Sequence, residues 1–170
     1  DLLLAMLPRA AGVRFLAIAW RLVQPLSTLR REHFYGHDGE LTDEAAFRSR
    51  VFETVQHQRE LSRLQRLQTR MVCSTPWGPS QLATIYAEGI VAHMTAGHGG
   101  FRLSAERNKR IVRSLRISSG WYEEDEAWAI VAFNFPDLFT TYERKLAERT
   151  IKDKWPDEWE AIFGRPLQPG

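Results

Sequence analysis

The chain has 170 residues, of which 44% are hydrophobic, so it can bury one core and carry a further segment beside it. Its 23 lysine and arginine residues nearly balance 21 aspartate and glutamate residues, which excludes a global charge that would draw it to nucleic acid or a membrane. A single cysteine, Cys73, excludes an internal disulfide framework and a cysteine-based zinc site, and we expect a cytoplasmic protein.

The N-terminal residues predict a packed helix. Residues 1–26 are rich in leucine, alanine and valine, but Pro8, Arg9, Arg14 and Arg21 interrupt every span of the roughly 20 apolar residues that a bilayer needs. Apolar residues of 10–23 recur at helical spacing, which indicates an amphipathic helix. We therefore expect no membrane partner.

The segment after residue 42 predicts the longest helix. Thr42 or Asp43 can cap its start by accepting from free backbone amides, and no proline or glycine interrupts it before about Arg70. Its exposed side is rich in arginine and glutamine, as in a solvated helix face. The alternatives are a partner-helix seam, which would give a dimer through residues 43–70, or a phosphate-facing strip.

The composition of the sequence changes at Val72, and Pro76 and Pro79 shortly after it mark a turn-rich boundary. We expect a helical extension over residues 1–71 and a mixed module over residues 72–170. The predicted elements of that module are strands at 81–86, 89–95 and 101–103, and helices at 104–120, 128–135, 141–152 and 156–163. The predicted fold class is α+β, with a helical N-terminal part followed by a small antiparallel sheet packed with several helices.

His98 is the sharpest candidate for chemistry because glycines surround it as Gly97-His98-Gly99-Gly100. Such a turn leaves an imidazole unshielded, so it could act as a base or a ligand. The alternative is a hairpin that needs glycines for positive φ angles. His93 lies within a predicted strand, and we expect it to be a packed or surface residue.

Acidic residues Glu123, Glu124 and Asp125 are the natural partners for His98 in general acid–base work or in binding a hard metal. The alternative is that they stabilise the first turn of the next helix through its macrodipole. No further ligand occurs at recognisable spacing, so we expect no metal site and no cofactor. A nucleophile and base pair of Cys73 with His98, oriented by Asp125, has no supporting signature.

A dense set of basic residues precedes the acidic turn. Its members are Arg102, Arg107, Lys109, Arg110, Arg113 and Arg116. They could contact phosphates, with Trp77, Tyr86 or Trp121 stacking on bases, or they could be neutralised by the acidic turn downstream.

Several distinctive motifs follow one another along the C-terminal module. They include Thr75-Pro76-Trp77-Gly78-Pro79-Ser80-Gln81, His98-Gly99-Gly100-Phe101 and Trp121-Tyr122-Glu123-Glu124-Asp125. Together they resemble an uncharacterised family of domains carried by proteobacterial plasmids, integrated elements and phages. The resemblance covers about residues 75–163. It implies a setting among accessory genes of mobile elements, where inhibitors of host restriction or CRISPR systems are common.

Three hypotheses about function follow. The first is an accessory protein of a mobile element that binds and inhibits a host defence protein or nucleoprotein complex. The second is a hydrolase or nuclease-like enzyme, which requires His98 and at least two of the carboxylates to converge within about 5 Å in a cleft. The third is a nucleic-acid-binding accessory factor that uses the basic residues of 102–116.

Overall fold

The computed structural model of the chain describes residues 2–8, 14–20 and 25–164. Its helices and antiparallel sheets confirm the predicted α+β class. The chain divides into two compact units, residues 1–56 and residues 57–170, so the division falls within the long helix of the N-terminal part.

The first unit is built on a three-stranded antiparallel sheet in the order β1-β2-β3. Its strands are β1 (Leu2–Pro8), β2 (Arg14–Trp20) and β3 (Tyr35–Leu41). The predicted helix over residues 10–23 is wrong in its described part, because β2 pairs residue by residue with β1. A short apolar run fits a buried strand and a buried helix equally well by periodicity, and pairing decides between them. The N-terminal part is therefore not wholly helical.

Helix α1 (Glu44–Leu61) follows this sheet. The Ala46 amide donates to Asp43 Oδ1 at 2.8 Å, so the predicted capping residue is confirmed. The helix ends well before Arg70, because the chain turns after Leu61 and forms strand β4 (Leu67–Thr69) at the edge of the second sheet. The predicted dimer through residues 43–70 stays a prediction.

The second unit contains a five-stranded antiparallel sheet in the order β10-β9-β8-β7-β4. Its longer strands confirm the three predicted strands and are β7 (Leu82–Ala87), β8 (Ile90–Met94) and β9 (Gly99–Leu103). The sequence missed β10 (Trp121–Glu123), which forms the far edge. The turn-rich boundary forms a two-residue hairpin of β5 (Ser74–Thr75) and β6 (Gly78–Pro79).

Four helices accompany the sheet. They are α2 (Ala105–Lys109), α3 (Trp128–Asn134), α4 (Thr141–Lys154) and α5 (Pro156–Phe163), with short 3-10 turns at Arg113–Leu115 and Pro136–Leu138. Ser104 caps α2 as predicted, since its side chain accepts from the Arg107 amide. The helix predicted over residues 104–120 is too long, because α2 ends at Lys109. None of the helices in the described residues is both long and apolar enough to cross a bilayer.

The core lies between the sheet and helices α3 and α4, and it fixes strands β9 and β10 relative to each other. Phe101 and Tyr122 are opposite one another on these strands and are both buried. The Tyr122 hydroxyl donates to Asn108 Oδ1 at 2.6 Å and accepts from the Ile117 amide at 3.2 Å. This packing holds the end of β10 beside the start of β9.

A partly buried ion pair joins the segment before β4 to the start of α4. Arg66 donates to both carboxylate oxygens of Glu143, at 2.9 and 2.7 Å, and to the Leu138 carbonyl at 2.9 Å. Burial raises the pKa of Glu143, but hydrogen bonds from Arg66 and Thr140 and the charge of Arg66 outweigh it and leave the pKa lowered. The pair stabilises the second unit in its charged form.

Candidate functional site

His98 is the last residue of the loop that joins β8 to β9. The Thr95 amide donates to the His98 carbonyl at 2.9 Å, and the Thr95 hydroxyl donates to the same oxygen at 2.5 Å. In return the His98 amide donates to Thr95 Oγ1 at 3.2 Å. Thr95 is buried, whereas 59% of the His98 side chain is exposed. The loop therefore holds the backbone of His98 rigidly and presents its imidazole to solvent.

The acidic residues reach this loop through strand pairing. Glu123 is the last residue of β10 and lies opposite Gly100 on β9, and the Glu124 amide donates to the Gly99 carbonyl at 3.1 Å. The Glu123 carboxylate accepts from the amides of Asp125 and Glu126 at 2.7 and 3.3 Å. This side chain closes the turn that follows β10.

The hypothesis that these acids open a helix is wrong. Helix α3 begins at Trp128 and has no acidic residue in its first turn, because Glu123 lies in a strand and the residues after it form a separate turn. The macrodipole of α3 therefore does not account for Glu123, Glu124 and Asp125.

The structure brings His98 together with Glu123 and Asp125. One ring nitrogen of His98 and one carboxylate oxygen from each acid all lie within 4.8 Å of one another. We call these three residues the histidine–carboxylate cluster. Beside it, Glu124 Oε1 lies 3.8 Å from His98 Nδ1. Two carboxylates meet the distance that the enzyme hypothesis requires, while the side chains of His98 and Asp125 are exposed, so the cleft that it also requires stays a prediction.

The glycines after His98 provide space for close packing. A Cβ on Gly99 would lie 2.5 Å from Glu124 Oε2 and 2.6 Å from the His93 carbonyl oxygen, so only glycine lets that carboxylate approach. The loop does join a hairpin of β8 and β9, but neither Gly97 nor Gly99 has a positive φ, so that need does not explain these two glycines. At Gly100, an added Cβ would collide with the Trp77 ring.

Trp77 connects the first motif to the other two. It lies in the turn between β5 and β6, where its amide donates to Thr75 Oγ1 at 3.2 Å. Its ring covers Gly100 and meets the Trp121 ring edge-on at a centroid distance of 5.7 Å. The three motifs therefore form one structural unit. Trp77, one of the aromatic residues proposed for base stacking, is already packed against a neighbouring ring.

A second group of polar residues lies behind β8, and sequence reasoning missed it. His93 is buried, and its Nδ1 lies 3.1 Å from Ser80 Oγ and 3.6 Å from Cys73 Sγ. Burial lowers the pKa of His93. The cysteine thus contacts His93, while the sequence considered a pair with His98. No motif signals this contact, since it depends on how the boundary hairpin folds onto β8.

Three of the basic residues of 102–116 lie against aromatic rings of the same unit. The Arg102 guanidinium lies 5.1 Å from the Trp121 ring centroid, and it also donates to the Ser119 carbonyl. Arg107 and Arg110 lie 6.0 and 5.3 Å from the ring centroid of Phe135. These cation–π contacts stabilise the fold, and nucleic-acid binding by this segment stays a prediction.

The basic residues of 102–116 were expected to be neutralised by the acidic turn, but the described ion pairs of that turn involve other residues. Among the described residues, Glu126 pairs with Lys154 at 2.8 Å and Glu124 faces His98. Arg116 instead donates to the carbonyls of Lys109 and Ile111. The described ion pairs therefore do not join this basic segment to the acidic turn.

Fold and site define an α+β domain that displays a histidine and carboxylates at one end of an antiparallel sheet. The chain matches over residues 70–170 a family described as Domain of unknown function (DUF7007), and it belongs to that family. No curated protein and no solved structure matches the chain. The expected resemblance to a domain of unknown function is confirmed, and the boundary at residue 72 stays a prediction.

Proposed function

We propose that the chain is a hydrolase or nuclease-like enzyme whose active site is the histidine–carboxylate cluster. The observation that supports this is the convergence of three ionisable side chains within 4.8 Å, although they come from two motifs about 25 positions apart. General acid–base partners must lie within hydrogen-bond reach or one water of each other. The cluster satisfies that requirement.

Each side chain has a role consistent with its surroundings. The His98 imidazole takes a proton from water as the water oxygen bonds to the electrophilic atom, and it returns that proton to the leaving oxygen. Glu124 Oε1 lies 3.8 Å from Nδ1, and a movement of under about 1 Å would let it accept from that nitrogen and orient the ring. Glu123 is held by two backbone amides, and Asp125 lies in the same cluster, where its carboxylate can act as the acid.

Exposure of the site favours a polymeric substrate. About half of each of the His98 and Glu124 side chains is exposed, at 59% and 47%. A chain such as nucleic acid can lay its phosphodiester across an exposed site that gives a small molecule little enclosure. We therefore place single-stranded and double-stranded nucleic acid first among the substrates to test.

The test is cleavage of labelled oligonucleotides by the 170-residue chain with added divalent cations. We expect cleavage by the unmodified protein and a loss of about 100-fold or more for His98→Ala and Asp125→Asn. Glu126→Gln is the matched control, because it removes a charge from the same turn outside the cluster. Full activity of His98→Ala, or no cleavage of any oligonucleotide, would overturn the proposal.

We also propose a second function, an accessory protein of a mobile element that inhibits a host defence complex. It is favoured by the same exposure, which suits a protein surface as well as a polymer. Under this proposal, affinity capture from a bacterial lysate recovers a defence complex, and inhibition persists after His98→Ala. Loss of inhibition in a folded His98→Ala variant would support the enzyme instead.

The nucleic-acid-binding alternative has a separate signature. Binding through the basic residues of 102–116 would weaken steeply with salt and would fall on substitution of Arg110 or Arg113. Salt-independent binding, or no binding, would remove it.

A further inference from the structure

We infer that the histidine–carboxylate cluster is a binding site for a divalent first-row transition-metal ion. This inference rests on the proposed function and the same site, but it makes His98 a ligand in place of a general base, because a nitrogen bound to a metal cannot also accept a proton. Metal binding can be measured without any reaction. Spacing along the chain predicts no metal site because the ligands are not close in sequence. The pairing of β9 with β10 brings them together.

The donor set selects the class of ion. One imidazole nitrogen and two carboxylate oxygens form a mixed set, which suits Zn²⁺ or Mn²⁺ better than the all-oxygen sites of Mg²⁺ and Ca²⁺. Three protein ligands also leave a coordination position for water, as in catalytic zinc sites. A water bound there would lose its proton more readily than bulk water, and that is the chemistry a hydrolase needs.

The ligands are held in place by contacts that do not involve a metal. Thr95 fixes the backbone of His98 through three hydrogen bonds, and two backbone amides fix the Glu123 carboxylate. Each carboxylate oxygen accepts more than one bond, so Glu123 can still coordinate. The backbone of His98 and the carboxylate of Glu123 are therefore fixed before an ion binds, and the exposed side chains of His98 and Asp125 have to move only a short way to meet it.

Glu124 supplies the feature that separates this cluster from an ordinary acidic turn. Metal-bound histidines commonly meet a carboxylate at the ring nitrogen that does not coordinate, which orients the ring. Glu124 Oε1 already lies 3.8 Å from His98 Nδ1, and it reaches that place because Gly99 has no Cβ in the way. The glycine, the orienting carboxylate and the ligands thus form one arrangement.

Charge also favours a cation at this place. Glu126 is already paired with Lys154, and among the described ion pairs only His98 faces the three acidic residues from Glu123 to Asp125. Carboxylates this close repel one another, and a divalent ion between two of them relieves that repulsion.

Isothermal titration calorimetry on the metal-free 170-residue chain tests the inference, with ZnCl₂, MnCl₂ and MgCl₂ as the titrants. We expect one site that binds Zn²⁺ or Mn²⁺ more tightly than Mg²⁺. His98→Ala and Asp125→Asn should weaken binding by about tenfold or more, while Glu126→Gln should bind like the unmodified protein. Cys73→Ser is the control for zinc at the separate contact of Cys73 with His93.

Absence of saturable binding by both Zn²⁺ and Mn²⁺ would overturn the inference. Unchanged affinity in His98→Ala and Asp125→Asn would overturn it too, and thermal unfolding verifies that both variants are folded. Site-specific binding without cleavage of any oligonucleotide would support the metal site and reject the proposed enzyme. Cleavage that continues in the presence of a chelator would support the proposed enzyme and reject the metal site.

Discussion

Replacing Gly99 with alanine tests whether this glycine makes room for Glu124. The added Cβ would lie 2.6 Å from the His93 carbonyl oxygen and 2.5 Å from Glu124 Oε2, whereas ordinary contact begins at 3.4 Å. The carbonyl belongs to the paired strand β8 and cannot retreat by 0.8 Å (3.4 minus 2.6) without disturbing the register. Overpacking of this kind costs about 1–3 kcal/mol.

Urea denaturation measures this cost, and Gly97→Ala is the matched control. A Cβ at Gly97 meets no atom within 4 Å, and its φ is not positive. Reduced freedom of the unfolded chain should therefore stabilise Gly97→Ala by up to about 1 kcal/mol. In Gly99→Ala the displaced Glu124 should also weaken metal binding by about tenfold. Equal stability of the two variants would refute the packing argument.

Four further predictions concern buried or partly buried polar groups of the second unit. Tyr122→Phe leaves the Asn108 side chain and a backbone amide without their partner and should cost about 1–3 kcal/mol by urea denaturation. Arg66→Met leaves the Glu143 carboxylate buried without its cation and should cost about 3–5 kcal/mol; a loss under 1 kcal/mol would contradict the account. Because the folded pKa of Glu143 lies below its ordinary 4.5, its stabilising contribution is complete above that pH and is lost as the pH falls through the folded pKa. Glu143→Gln should flatten that acid limb of the stability curve. The folded pKa of His93 lies below 6.5, so the unfolded chain takes up a proton first, and stability should decline as the pH falls from 6.5 through the folded pKa. His93→Gln should remove this decline, and an unchanged pH profile would contradict the assigned burial.

The sequence predicts elements well where local chemistry decides them. Helix α5 begins at Pro156 as expected for proline in a first turn, and the capping residues Asp43 and Ser104 are both confirmed. The sequence predicts elements poorly where pairing with a distant segment decides their structure. Strand β2 depends on pairing with β1, and α1 stops at Leu61 because the chain beyond it pairs with β7.

The same distinction applies to the site. His98 stands out in the sequence because glycines flank it, and Glu123, Glu124 and Asp125 stand out because they are consecutive acidic residues. Their meeting depends on the register that sets Glu123 opposite Gly100, and no local pattern encodes that register. The contact between Cys73 and His93 is invisible for a similar reason, since 20 positions and a hairpin separate the two residues.

A crystal structure of the chain grown with ZnCl₂ tests the central claim most directly. Our account predicts an anomalous peak bound to a His98 ring nitrogen and to carboxylate oxygens of Glu123 and Asp125, at about 2.0–2.2 Å from each. A structure in which His98 lies far from both carboxylates, or in which zinc binds elsewhere and leaves this cluster free, would contradict it.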